Sequence, residues 1–113
     1  MRLIKSFRNA LNGLLIAWRE QNNIKIHLLA IVFVAITGVY GQFNYTDWCL
    51  VILAIGLVLG LEVMNSSIED LVNFVSPEKR REAGRIKDMA AGAVLIAAIA
   101  AALLGTILVL SKF

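Results

Sequence analysis

Through the first twenty residues, Leu3, Ile4, Phe7, Leu11, Leu14, Leu15 and Trp18 recur at helical spacing, with Arg2, Lys5, Arg8, Asn9, Asn12 and Arg19 between them. This pattern predicts an amphipathic helix over 1–20 that lies in a membrane interface, apolar face down and basic face toward anionic headgroups. As a sequence feature alone it requires nothing beyond a surface anchor. The pattern then changes. Met89 to Leu110 holds no charged residue, a stretch about as long as the roughly 20 residues that cross a hydrocarbon core as a helix. Leu28 to Gly41 and Trp48 to Leu61 are also uncharged but shorter, and they become spanning segments once their polar ends are included. The expected architecture is an all-α membrane protein with one domain over 1–113. It comprises the interfacial helix and transmembrane helices over 24–41, 46–74 (with a cytoplasmic extension) and 88–111.

Charge orients this layout. The turn from Gly41 to Asp47 carries no lysine or arginine, and Tyr40, Phe43, Tyr45 and Trp48 around it suit an aromatic interface belt. The connection from Ser76 to Lys87 holds Lys79, Arg80, Arg81, Arg85 and Lys87, and Arg2, Lys5, Arg8, Arg19 and Lys25 precede or begin the first span. Ten of the 11 basic residues therefore fall on one side of a three-span chain, which the positive-inside rule makes the cytoplasm. The basic residues at the N-terminus are spread out rather than preceding an apolar core and cleavage site, so this segment is expected to stay in the mature protein. At 113 residues and 59% hydrophobic, the chain has no room for a separate soluble catalytic module. A lone cysteine, Cys49, excludes an internal disulfide and a thiolate metal cluster within one chain. Gly56 and Gly60 in the second span, and Ala91, Gly92, Ala98, Ala102 and Gly105 in the third, allow close helix approach, so tight bundling and self-association are expected.

Acidic groups near a bilayer are costly, which makes each one at the end of a span a functional candidate. Glu62, Asn65 and Glu69 stand at i, i+3 and i+7 with Ser66 at i+4, so one helix face presents two carboxylates, an amide and a hydroxyl. Asp70 and Asn73 extend the polar character. A stripe that only bonds helices together would account for Asn65 or Ser66 alone. Two carboxylates opposite many same-side cations suit an anionic phosphate substrate carrying a divalent metal, since magnesium binds through one or two carboxylates plus substrate phosphates. No G-x-x-x-x-G-K-[ST] loop or protein-kinase signature is present, so a nucleotide site must be built differently. His27, without a second histidine, reads as a hydrogen-bonded interfacial residue rather than a metal ligand.

The block Glu62-Val63-Met64-Asn65-Ser66-Ser67-Ile68-Glu69 resembles the E-x-x-N-[ST]-[SA]-[IL]-E signature of the prokaryotic diacylglycerol kinase family, which includes undecaprenol kinases of Gram-positive bacteria. Lys87-Asp88-Met89-Ala90-Ala91-Gly92-Ala93-Val94-Leu95 resembles its second block, K-D-x-x-[AS]-[GA]-A-V-L, and the amphipathic N-terminus with Arg2, Lys5 and Ala17-Trp18 is similar too. The resemblance implies a homotrimeric helical bundle in the bacterial cytoplasmic (inner) membrane. Its active sites, shared between subunits at the cytoplasmic surface, would phosphorylate a membrane lipid alcohol with ATP and Mg2+. By resemblance Glu62 is the catalytic base, Asn65 and Ser66 position the lipid, and Glu69 binds the metal. Arg2, Asn9, Glu69, Glu78, Lys79, Arg80, Lys87 and Asp88 match nucleotide-binding positions. The sequence departs from the family at Gln21, where a second metal-binding glutamate is usual, so the metal role falls to Gln21 or to Glu20 beside it. Asn73 replaces a common aspartate and Lys25 a frequent arginine. Diacylglycerol is the first expectation for the substrate; undecaprenol is the alternative, suggested by Ala90-Ala91-Gly92. A reading from another class, a small structural or transport protein, would need polar residues on several spans, whereas the third span offers only Thr106 between Met89 and Leu110.

Overall fold

The computed structural model describes residues 1–20 and 22–113. Four helices follow one another: α1 (Arg2–Glu20), α2 (Asn22–Tyr40), α3 (Tyr45–Val75) and α4 (Arg81–Lys112), with no strand among the described residues. The last three are each long and apolar enough to cross a membrane. Helix α4 begins at Arg81, seven residues before the start expected at 88, because a span is recognised by its apolar run and the charged first two turns of this helix lie outside that run. At about 1.5 Å per residue the 31 residues of α3 measure roughly 46 Å. The hydrocarbon core takes roughly 30 Å of that, so α3 is long enough to continue past the hydrocarbon core.

The helix ends have local causes. Helix α2 closes in a Schellman motif: the Phe43 N–H donates to the Gly38 carbonyl at 3.0 Å and the Gln42 N–H to that of Val39 at 3.2 Å. Gln42 takes the left-handed position at φ 55°, one that glycine usually fills and that costs a residue with a Cβ roughly 1–2 kcal/mol. Gln42→Gly should therefore stabilise the bundle by about 0.5–1 kcal/mol once the greater freedom of glycine in the unfolded chain is subtracted. The check is the unfolding midpoint in detergent; a lowered midpoint would show that the Gln42 side chain contributes more than its backbone costs. Gly38 has a different role, since a Cβ there would run into the Trp48 ring, which also packs tilted on Phe43 with ring centroids 5.5 Å apart.

Asn44 starts α3 through a reciprocal capping box, accepting from the Asp47 N–H at 2.9 Å while its own N–H donates to Asp47 Oδ2 at 3.0 Å. The same carboxylate takes the Lys112 ammonium at 3.0 Å, tying the start of α3 to the end of α4. At the other end Ser76 caps α3, and Pro77 prevents its continuation. Buried apolar residues are few: Ala17, Val51, Val58, Val72, Ala97 and Leu108. Large side chains on every helix, among them Phe7, Phe33, Leu53 and Ile96, face outward. A chain with this surface is covered by lipid or by other protein, not by water.

Candidate functional site

Because the polar spacing of α3 is 3.6-periodic, its carboxylates share a face whatever the helix packs against. Depth then separates them. About 20 residues from Tyr45 carry α3 across the hydrocarbon, which leaves Glu62 just inside the boundary and Glu69 beyond it, roughly 10 Å further along the axis.

Glu62 is held from α2. The His27 Nε2 lies 3.0 Å from Glu62 Oε1, with side-chain exposures of 28% and 18%. Oε2 has no hydrogen-bond partner among the described residues. One turn on, the Ser66 hydroxyl donates back to the Glu62 carbonyl at 3.2 Å, so the hydroxyl is engaged with its own helix. Asn65 Nδ2 donates to Glu69 Oε1 at 3.2 Å. Exchanging the amide atoms would set two oxygens against each other, which fixes the assignment. The remaining Asn65 oxygen, Oδ1, is shut off from solvent and accepts nothing. Such an oxygen costs roughly 1–3 kcal/mol until a donor or a cation reaches it.

Beyond the bilayer the α3–α4 turn forms a basic recess of about 460 Å³, lined among others by Asn73, Glu78, Lys79, Arg80, Gly84 and Lys87. Lys87 donates to Asn73 Oδ1 across the hairpin. Arg80 and Glu78 stand 4.0 Å apart, both largely exposed, so their pairing adds little rigidity. Asp88 is exposed on the next residue of α4. An apolar cavity of about 970 Å³ opens beside the recess, between Ile68, Leu71 and Val72 of α3 and Ala83 and Ile86 of α4.

The residues expected at the site are thus only partly assembled within one chain. Glu62, Asn65, Ser66 and Glu69 are contiguous, and Glu78, Lys79, Arg80 and Lys87 line the recess. Arg2 and Asn9 are exposed on the first half of α1, with no hydrogen bond or ion pair to that recess among the described residues. Glu20 lines a groove of about 320 Å³ with Ser66, Ser67 and Asp70, on a different flank of α3 from Glu69. Gln21 lies outside the described residues. Lys25 sits 5.8 Å from the centroid of the Trp18 ring, bracing the α1–α2 corner by a cation–π contact. Two links were not anticipated, His27 to Glu62 and Asn73 to Lys87. The faint signal for the first is a single histidine three residues into the first expected span, at the depth of Glu62.

The donors present fit magnesium in kind: the exposed Glu69 carboxylate, oriented by Asn65, is a hard oxygen ligand, and phosphate and water would supply the others.

Comparison with known proteins gives a consistent set of relatives. Residues 8–109 match the family model described as prokaryotic diacylglycerol kinase. The chain is similar to the undecaprenol kinase of Bacillus subtilis, 32% identical over 98% of this chain and 90% of the relative. It is also similar to two diacylglycerol kinases. That of Escherichia coli is 31% identical over 99% of this chain and 92% of the relative. That of Helicobacter pylori is 34% identical over 87% and 77%.

Proposed function

This chain belongs to the prokaryotic diacylglycerol kinase family and is a multi-pass membrane lipid kinase, and from that premise we propose that it moves the terminal phosphate of ATP onto the hydroxyl of diacylglycerol at the cytoplasmic face of the bacterial inner membrane. The observation that carries this reading is the depth of the α3 face: a carboxylate, Glu62, at the level of a lipid hydroxyl, and a second, Glu69, at the level of water-borne phosphates.

The lipid hydroxyl hydrogen-bonds to Glu62 Oε2, the oxygen left open by His27. As the lipid oxygen forms its bond to the γ-phosphorus, its O–H bond breaks and the proton passes to Glu62. The bond from that phosphorus to the bridging oxygen breaks at the same time, and ADP leaves with the electron pair. Asn65 would position the lipid and orient Glu69, which would hold Mg2+; that metal would supply charge neutralisation to the phosphates. Lys79, Arg80 and Lys87 draw the phosphates into the recess, with Asp88 beside them. Phosphoryl transfer asks mainly for alignment and charge neutralisation, so these groups suffice without a soluble catalytic domain.

A homotrimer accounts for the residues that one chain leaves apart. The outward apolar faces of α2, α3 and α4 give copies a surface to share, and Arg2, Asn9 and Glu20 of one copy can then serve the α3 face of another. The basic ends of the helices support a cytoplasmic orientation of this face.

Undecaprenol is the second reading, favoured by the Bacillus subtilis relative. Purified protein given ATP, Mg2+ and either diacylglycerol or undecaprenol in mixed micelles should phosphorylate diacylglycerol with the higher kcat/KM. Higher kcat/KM for undecaprenol would exchange the two readings, and transfer to neither would overturn both.

A further inference from the structure

The strongest feature left unused by family membership is the bond between α2 and α3. His27 is the only histidine in the chain, it is partly buried, and its Nε2 is directed at one oxygen of one carboxylate, 3.0 Å away. It borders a cavity of about 220 Å³ with Ala30, Ile31, Val34, Val58 and Leu59 among the lining. No other side-chain hydrogen bond joins α2 to α3 among the described residues.

We infer that His27 is a positioning residue for phosphoryl transfer: it donates from Nε2 to Glu62 Oε1, fixes the carboxylate rotamer, and so presents Oε2 to the lipid hydroxyl. The inference rests on the reading of Glu62 as the base. Its physical basis is that a glutamate has three torsions to fix. Among the described residues the imidazole is the only hydrogen-bond partner of this side chain, because Ser66 is bonded to the Glu62 backbone. A base must come within hydrogen-bond reach of the proton it takes, and an ångström of misplacement costs about a hundredfold in rate. The neutral ring with hydrogen on Nε2 leaves its Nδ1 as an acceptor. The clamp needs only a hydrogen on Nε2, which the doubly protonated ring carries as well.

The experiment compares His27→Met with His27→Gln, two unbranched side chains of similar length of which only glutamine can donate. Both are assayed as full-length protein in detergent with diacylglycerol and ATP, alongside Glu62→Gln. His27→Met should lower kcat roughly a hundredfold with an unchanged KM for ATP, and His27→Gln should recover most of that loss. Equal kcat values in the Met and Gln variants, whether both high or both low, would overturn the inference. A second measurement is independent of any variant's folding: the sole imidazole of the wild-type protein, labelled with 15N, should report hydrogen on Nε2, in the neutral or doubly protonated ring. An Nδ1–H neutral tautomer would overturn the inference. The Glu62→Gln arm separates the two readings. If that variant is active, the base assignment fails on its own; if it is inactive while His27→Met keeps full kcat, the base stands and the clamp falls.

Discussion

Replacing Glu62 with glutamine should lower kcat by roughly a thousandfold, the middle of the range that general acid–base groups contribute, while leaving the KM for ATP within about twofold of wild type. Glutamine keeps the length of the side chain, and its Oε1 still accepts from His27 Nε2, so the α2–α3 contact at 3.0 Å survives the change. What is lost is the ability to take a proton at the second position, where the glutamate has Oε2 and the glutamine an NH2 group that only donates. Glu62 lies about 10 Å along the α3 axis from Glu69, so the nucleotide side of the site should not respond. The measurement is initial rate against ATP at saturating diacylglycerol, with circular dichroism to show that helix content is retained. A variant with more than about a tenth of the wild-type kcat would remove Glu62 from the role of base, because the other carboxylate of the membrane-spanning stretch of α3, Asp47, sits at its opposite end, paired with Lys112.

The alignment of Glu62, Asn65, Ser66 and Glu69 was legible because it depends only on the period of one helix. So were the amphipathic α1 and the three apolar stretches, each set by a pattern within a single element. What the sequence left unread depends on how elements meet. His27 and Glu62 are 35 positions apart, and their contact requires a particular register of α2 against α3 that periodicity does not specify. Lys87 and Asn73 meet for the same reason, across a turn whose length was visible but whose geometry was not. Asp47 illustrates both cases. Its capping box with Asn44 is a local pattern, Asn-x-x-Asp at the head of an apolar run; its pairing with Lys112 is not local, because it depends on α4 returning to the same membrane surface. Gln42 shows a further gap, since a left-handed helix end without glycine carries no residue signal at all.

The proposed nucleotide site is the least complete part of a single chain, and the physical reason is the membrane. Burial in water-soluble proteins collects polar partners around one core, whereas here the few buried apolar residues leave helix faces turned outward. Lipid tails supply no force that would draw those faces together, so their association depends on close packing and polar contacts. Arg2, Asn9 and Glu20 stand on α1, which has only Ala17 buried. In the proposed homotrimer they would act on a neighbouring copy, so their contribution should depend on assembly in a way that those of Glu62 and His27 do not.

Glu69→Gln should raise the Mg2+ concentration for half-maximal rate by roughly ten- to a hundredfold, the equivalent of losing one charged oxygen contact worth about 1.5–3 kcal/mol. The substitution is shaped to leave its neighbour alone, because the glutamine carbonyl can still accept from Asn65 Nδ2, as Glu69 Oε1 does at 3.2 Å. Asn65 Oδ1 would keep its orientation and its lack of a partner, so the variant changes the charge of the donor set and little of its geometry. Excess Mg2+ should then restore much of the rate, a recovery that cannot occur in Glu62→Gln, where the missing group handles a proton. The two variants thus give opposite responses to one titration. Binding read without turnover, by the electron paramagnetic resonance signal of Mn2+ with ATP present, should weaken in the Glu69 variant and stay unchanged in the Glu62 variant. An unaltered Mg2+ dependence in Glu69→Gln would transfer the metal to other carboxylates of the assembly, with Glu20 and Asp70 on the adjacent flank of α3 the first to test.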